Sequence, residues 1–236
     1  MRLSSLLLTA LALPFLAAGQ AHAQTVDGNL TFTAVFDLTS LPATQMVGLG
    51  ANSAASGFQS DAAISFQTAN GTSAQITFGA GSPIAGIYTG DTVGVAAPVQ
   101  TAGGGTLANY VAAEPNGNVT ISYTKPQTAF ALDWGTVDSY NTLAFYNGSK
   151  LVGEITGSQV LSGATGYAGT NTAQVGVTLA NGTQFTSVVA MSSQAAFEFG
   201  IIKSPAPAPL GLPGASRAGA LAGLVLLWDV MRRKQA

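Results

Sequence analysis

Cysteine is absent from this 236-residue chain, and histidine occurs once, at His22. Without cysteine there is no disulfide, no thiolate nucleophile, no Cys-ligated zinc and no iron–sulfur centre. Charge is scarce as well. Eight Lys or Arg and ten Asp or Glu make up 8 % of the residues, against about 25 % in a typical soluble domain. His22 lies in a segment that reads as a removable leader. The body that follows therefore lacks both side chains best suited to acid–base and nucleophilic work near neutral pH. No G-x-S-x-G, P-loop, dinucleotide fingerprint or H-E-x-x-H occurs either. Together these absences argue against an ordinary enzyme.

The two ends read as addresses rather than fold. Arg2, the apolar run Leu6–Leu16 and the small-x-small pattern Ala21-His22-Ala23 form a signal peptide over 1–23, with cleavage between Ala23 and Gln24. Signal peptidase and the general secretion machinery are the implied partners. At the other end, Ser204-Pro205-Ala206-Pro207-Ala208-Pro209 predicts a stiff extended spacer. The apolar run Ala218–Trp228 and the basic cluster Arg232-Arg233-Lys234 follow it. An apolar helix stopped by positive charge predicts a transmembrane helix, transiently anchored in the inner membrane with the basic cluster on the cytoplasmic side. Its uninterrupted core is 11 residues; extended over 210–231 it takes in Pro213, Arg217 and Asp229.

Residues 24–203 form the body. Nine acids (Asp27, Asp37, Asp61, Asp91, Glu114, Asp133, Asp138, Glu154, Glu198) face three bases (Lys125, Lys150, Lys203), a net charge of 3 − 9 = −6. That sign excludes nucleic acid as a partner, because a phosphate backbone needs a positive footprint. Period-2 alternation recurs along the body, as in Leu30/Phe32/Ala34/Phe36, Ile64/Phe66, Ile76/Phe78, Val119/Ile121/Tyr123, Phe130/Leu132/Trp134 and Phe197/Phe199/Ile201. Asn70-Gly71, Asn147-Gly148 and Asn181-Gly182 supply turns. No stretch keeps a helical period over three turns, and Gly79–Gly105 predicts a long, mobile connection. The expectation is an all-β, two-sheet antiparallel sandwich of nine or ten strands, jelly-roll-like, between an N-terminal signal helix and a C-terminal hydrophobic sorting helix. The domain plan is accordingly 1–23, 24–203 and 204–236.

The order of proline motif, hydrophobic helix and terminal basic cluster resembles the PEP-CTERM sorting signal of Gram-negative exosortase substrates. Pro207-Ala208-Pro209 stands where that family usually has Pro-Glu-Pro. The block Leu132–Tyr146, with Trp134-Gly135-Thr136-x-Asp138-x-Tyr140-Asn141, is similar to the W-G-[ST]-x-D-x-Y-N block of one subgroup of these surface proteins. Ala196-Phe197-Glu198-Phe199 is similar to the subgroup's final strand, with Gly200-Ile201 in place of its usual Asp-Asn. The resemblance implies an exosortase-type membrane enzyme as processing partner, a destination at the cell surface or outside the cell, and exopolysaccharide as surroundings. Pro207, Ala208, Pro209, Arg232, Arg233 and Lys234 carry the sorting motif.

Chemistry in the body has one main candidate, the cluster Asp133, Trp134, Asp138, Tyr140 and Asn141. Trp134 or Tyr140 would stack on a sugar's apolar face, while Asp138 and Asn141 would bind hydroxyls, or calcium, through oxygen. The competing structural reading puts Trp134 in the core and has Asp138 and Asn141 satisfy turn backbone groups. Calcium is a candidate without EF-hand spacing, and no other cofactor is indicated. A hydrolase would need two facing carboxylates among Asp133, Asp138, Glu154 and Glu198. Nothing in the spacing pairs them, and alternation puts Glu198 on the solvent face. The expectation is a non-catalytic structural or adhesive protein, with a carbohydrate-binding module as the alternative.

Overall fold

The computed structural model describes residues 21–26, 29–36, 46–50, 56–80, 84–98, 108–162 and 172–203. Residues 1–20 of the expected leader and 204–236 of the expected sorting tail lie outside them. Among the described residues fourteen strands and one short helix are formed. In chain order they are β1 (Ala21–Val26), β2 (Leu30–Val35), β3 (Gly57–Ser60), β4 (Ile64–Gln67), β5 (Ser73–Phe78), β6 (Gly86–Thr89) and β7 (Asn109–Ala113). There follow β8 (Val119–Gln127), β9 (Ala129–Trp134), β10 (Asn141–Asn147), β11 (Lys150–Thr156), α1 (Gly157–Ser162), β12 (Ala173–Leu179), β13 (Phe185–Ser192) and β14 (Phe197–Ile201). They build an eight-stranded sheet, β1-β2-β12-β9-β14-β7-β6-β3, and a six-stranded sheet, β11-β10-β13-β8-β5-β4. Every named strand pair is antiparallel.

The alternating side chains explain the sandwich. Leu30, Phe32, Leu132, Trp134, Phe197 and Phe199 from the larger sheet meet Ile76, Ile121, Phe145, Phe185 and Val188 from the smaller one in one buried core. Trp134 stacks on Phe197 with ring centroids 4.4 Å apart, and Phe145 meets Phe130 and Phe185 edge-on. The three Asn-Gly pairs do different work. Asn70-Gly71 and Asn147-Gly148 lie at the hairpins β4–β5 and β10–β11. Asn181-Gly182, with φ of 56° and 75°, turns the chain from β12 in one sheet to β13 in the other. From β7 onward, every strand connection except β10–β11 crosses between the sheets.

Four strands escaped the periodicity: β1, β3, β6 and β7. β3 carries a single large apolar residue, Phe58, and β6 and β7 are buried on both faces, so none of these three shows an apolar–polar alternation. The predicted long connection over Gly79–Gly105 in fact contains β6 and a bridged turn pairing Thr92 with Val95. β1 spans the expected cleavage point: three of its register pairs with β2 involve Ala21, His22 and Ala23, and three involve Gln24, Thr25 and Val26.

Two expectations are corrected. Among the described residues no helix is long and apolar enough to cross a membrane, so the transmembrane helix is withdrawn; the segment 210–231 on which it rested lies outside them. Its uninterrupted apolar run was in any case about half of what a span requires. Glu198 does not face solvent but is buried, 3 % exposed. The reason is a third layer. Residues 92–98 fold over the outer face of the larger sheet, where the Ala96 N–H donates to Glu198 Oε1 at 2.9 Å, while Met46 and Val47 run beside the end of β14, Met46 bridging Ile202 and the Val47 N–H donating to the Ile201 carbonyl at 2.9 Å. Met46, Val95 and Ala97 there join Tyr88, Tyr110, Ala112, Ala131 and Ala196 in a second apolar cluster. Polar-out alternation places Glu198 correctly on that face, but the face is covered.

Candidate functional site

The loop between β9 and β10 begins where the core ends. Trp134 is fully buried, which rules it out as a surface platform for a sugar and corrects that candidate contact. Asn141 is fully buried too: its amide nitrogen donates to the Thr136 carbonyl at 3.4 Å, and its side-chain oxygen accepts from the Ser192 hydroxyl at 2.8 Å. The Asn141 N–H donates to the Asp138 carbonyl at 3.1 Å, which closes the turn. Two members of the block, Trp134 and Asn141, are therefore held by the scaffold itself.

Asp138 and Tyr140 have a different setting. They line an open cavity of about 430 Å³. The β6–β7 connection contributes Asp91 and residues up to Ala96, the β9–β10 loop contributes Thr136, the β13–β14 loop contributes Ala195 and Ala196, and β14 contributes Glu198. The Tyr140 hydroxyl lies within hydrogen-bonding reach of the Asp138 carboxyl and 3.3 Å from the Ala195 carbonyl oxygen. The Ala96 N–H donates to Glu198 Oε1 at 2.9 Å, and the Ala97 N–H donates to Asp91 Oδ1 at 2.9 Å. The first bond ties the covering loop to the sheet through Glu198, and the second braces the loop within itself through Asp91. Glu198 Oε2 is buried without a hydrogen-bond partner.

Among the described residues no Lys, Arg or His lines the cavity. Burial pushes the Glu198 carboxyl up to about 7; its backbone hydrogen bonds oppose this, while Asp138 and Glu114 reinforce it. Burial also raises Asp138, against the Tyr140 hydrogen bond. Tyr140 is pushed up to about 12 by burial and by the neighbouring Asp138 and Glu198. Two further carboxyls are buried with no hydrogen-bond partner on either oxygen: Asp133, opposite Gly200 and Gln174 in the sheet, and Glu114, at the end of β7. Burial pushes each up to about 7.

Of the carboxylates proposed for a hydrolase, Asp138 and Glu198 share the cavity, while Asp133 is shut inside and Glu154 is exposed on β11. Among the described residues no group of three or more His, Cys, Asp or Glu converges to hold a metal ion. The acids around the cavity thus do not offer the close oxygen shell, about 2.3–2.6 Å from the ion, that calcium takes. Asp91 and Glu198 were not singled out as ligand contacts from sequence. For Glu198 the available signal was scarcity: in a body with nine acids, a Glu inside an apolar strand is unusual; Asp91, in a connection, carried no such signal.

Compared with protein-family models, with curated proteins and with solved structures, the chain matches none of them.

Proposed function

We propose that this chain is a non-catalytic exported protein of the cell surface or extracellular matrix, with a structural or adhesive role. It is delivered by the general secretion machinery, trimmed by signal peptidase and sorted by an exosortase-type enzyme acting on its tail. Its sandwich is jelly-roll-like, flanked by the signal helix and the hydrophobic sorting segment. The observation that supports the scaffold role is the fixing of Trp134 against Phe197 and of Asn141 between Thr136 and Ser192. The most distinctive aromatic and amide of the block serve packing and turn closure. Mass spectrometry of the protein recovered outside cells tests the delivery. The expected species begins at Gln24 and lacks the residues beyond Pro209; an intact tail in that fraction contradicts it.

A second reading, a carbohydrate-binding module for exopolysaccharide, is favoured by one observation: Asp138 and Tyr140 line an open cavity. Retention of the full chain on purified exopolysaccharide, with and without calcium, tests it. Retention no greater than on bare resin would end that reading.

A further inference from the structure

We propose that the cavity bounded by Asp91, Asp138, Tyr140 and Glu198 is a binding site for a protonated amino sugar, with the ammonium group directed at Glu198. The inference rests on the carbohydrate reading for its location and goes beyond it in naming the charge of the ligand.

Glu198 carries the argument. It is 3 % exposed, one oxygen is held by the Ala96 N–H, and the other has no partner. A buried carboxyl oxygen left unpaired is costly, and a donor brought by a ligand removes that cost. Asp91 and Asp138 line the same cavity, and among the described residues no basic side chain does. A neutral hydroxyl would satisfy the free oxygen, but three acidic side chains with no basic one beside them favour a donor that brings positive charge. An ammonium group donates and neutralises together, and charge-assisted bonds are the stronger ones. A bare divalent ion fits less well, because the acids do not converge into a coordination shell.

The remaining features fit a sugar ring. A volume of about 430 Å³ accommodates a single ring with some water. The half-buried Tyr140 lines the cavity and brings the kind of ring that packs on the apolar side of a pyranose. Glu198 anchors the covering loop and Asp91 braces it internally, so the cavity wall and its acidic groups are built by the same residues.

Calorimetric titration of the full chain at pH 7 and low salt tests the inference with three trimers: glucosamine, N-acetylglucosamine and glucose. Binding of the glucosamine trimer at least tenfold tighter than the other two is the expected result. Equal binding of all three would overturn the ammonium assignment while leaving the carbohydrate reading intact; binding of none would overturn both. Glu198→Gln keeps the acceptor for Ala96 and removes the charge, so the glucosamine trimer should weaken about tenfold. If that variant does not fold, Asp138→Asn serves in its place and should weaken the same trimer severalfold. Unchanged glucosamine affinity in a folded variant would overturn the proposal.

Discussion

The outer faces of the two sheets have opposite fates. On the six-stranded sheet, Gln75, Ser122 and Glu154 point to open solvent, as expected of one face of an antiparallel sandwich. On the eight-stranded sheet, the equivalent positions hold Tyr88, Tyr110, Glu114, Asp133 and Glu198, all buried, with Val95, Ala96 and Ala97 of the β6–β7 connection packed against this face. Asp133 and Glu198 alternate with apolar neighbours along their strands just as Gln75 and Ser122 do. The difference lies in what covers each face, and covering is a matter of long-range topology. It converts ordinary solvent-facing acids into buried ones that hold their protons to near neutrality.

The comparison is sharpened first by attacking the inner face. Trp134→Ala should cost about 3–5 kcal/mol, since it removes the largest core side chain and its stacking on Phe197. Urea unfolding of the full chain measures it, and a loss under 1 kcal/mol would mean that the indole is not packed as described.

The covered face should reveal itself through pH. Asp133, Glu114 and Glu198 keep their protons up to about 7 in the folded state, but release them near 4 when unfolded. The folded state therefore binds more protons across that interval, so stability falls as pH rises from about 4 to about 7 and levels off above. For Asp133 alone the decline is on the order of 3 kcal/mol. Thermal melts at pH 5 and pH 8 check the direction. Asp133→Asn should reduce the difference between the two melts and raise the melting temperature at pH 8. A wild-type protein more stable at pH 8 than at pH 5 would refute this account of the covered face.

Smaller effects belong to the turn and to the open face. Ser192→Ala removes the hydroxyl bonded to Asn141 Oδ1 and to the Gln194 carbonyl, and should cost about 1 kcal/mol in the same urea assay. Gln75→Lys, on the open face, should change stability by no more than about 0.5 kcal/mol. A larger loss there would show that this face too is covered, and would erase the contrast.

The sandwich was legible because its longer strands carry period-2 patterns and its turns carry Asn-Gly. Leu30/Phe32/Ala34 and Phe197/Phe199/Ile201 point inward as their alternation requires. Asn181-Gly182 announced a tight turn but not its destination, since a local φ preference does not specify which sheet the chain enters next. The burial of Glu198 was illegible for a related reason. It depends on residues about 100 positions earlier, where the Ala96 N–H meets its carboxyl. The candidate site was half visible: Asp138 and Tyr140 stood out in one continuous block, whereas Asp91 and Glu198 join them only through the fold.

The crossing connections carry a consequence for how the chain reaches its folded form. Leu30–Val35 pairs on its inner side with Ala173–Leu179, about 140 residues later, so an early-made strand waits for a late one. Folding dominated by such distant pairings proceeds in milliseconds to seconds rather than microseconds. Under the export proposed above, the sandwich would close only after Ala173–Leu179 has joined Leu30–Val35 on the far side of the membrane.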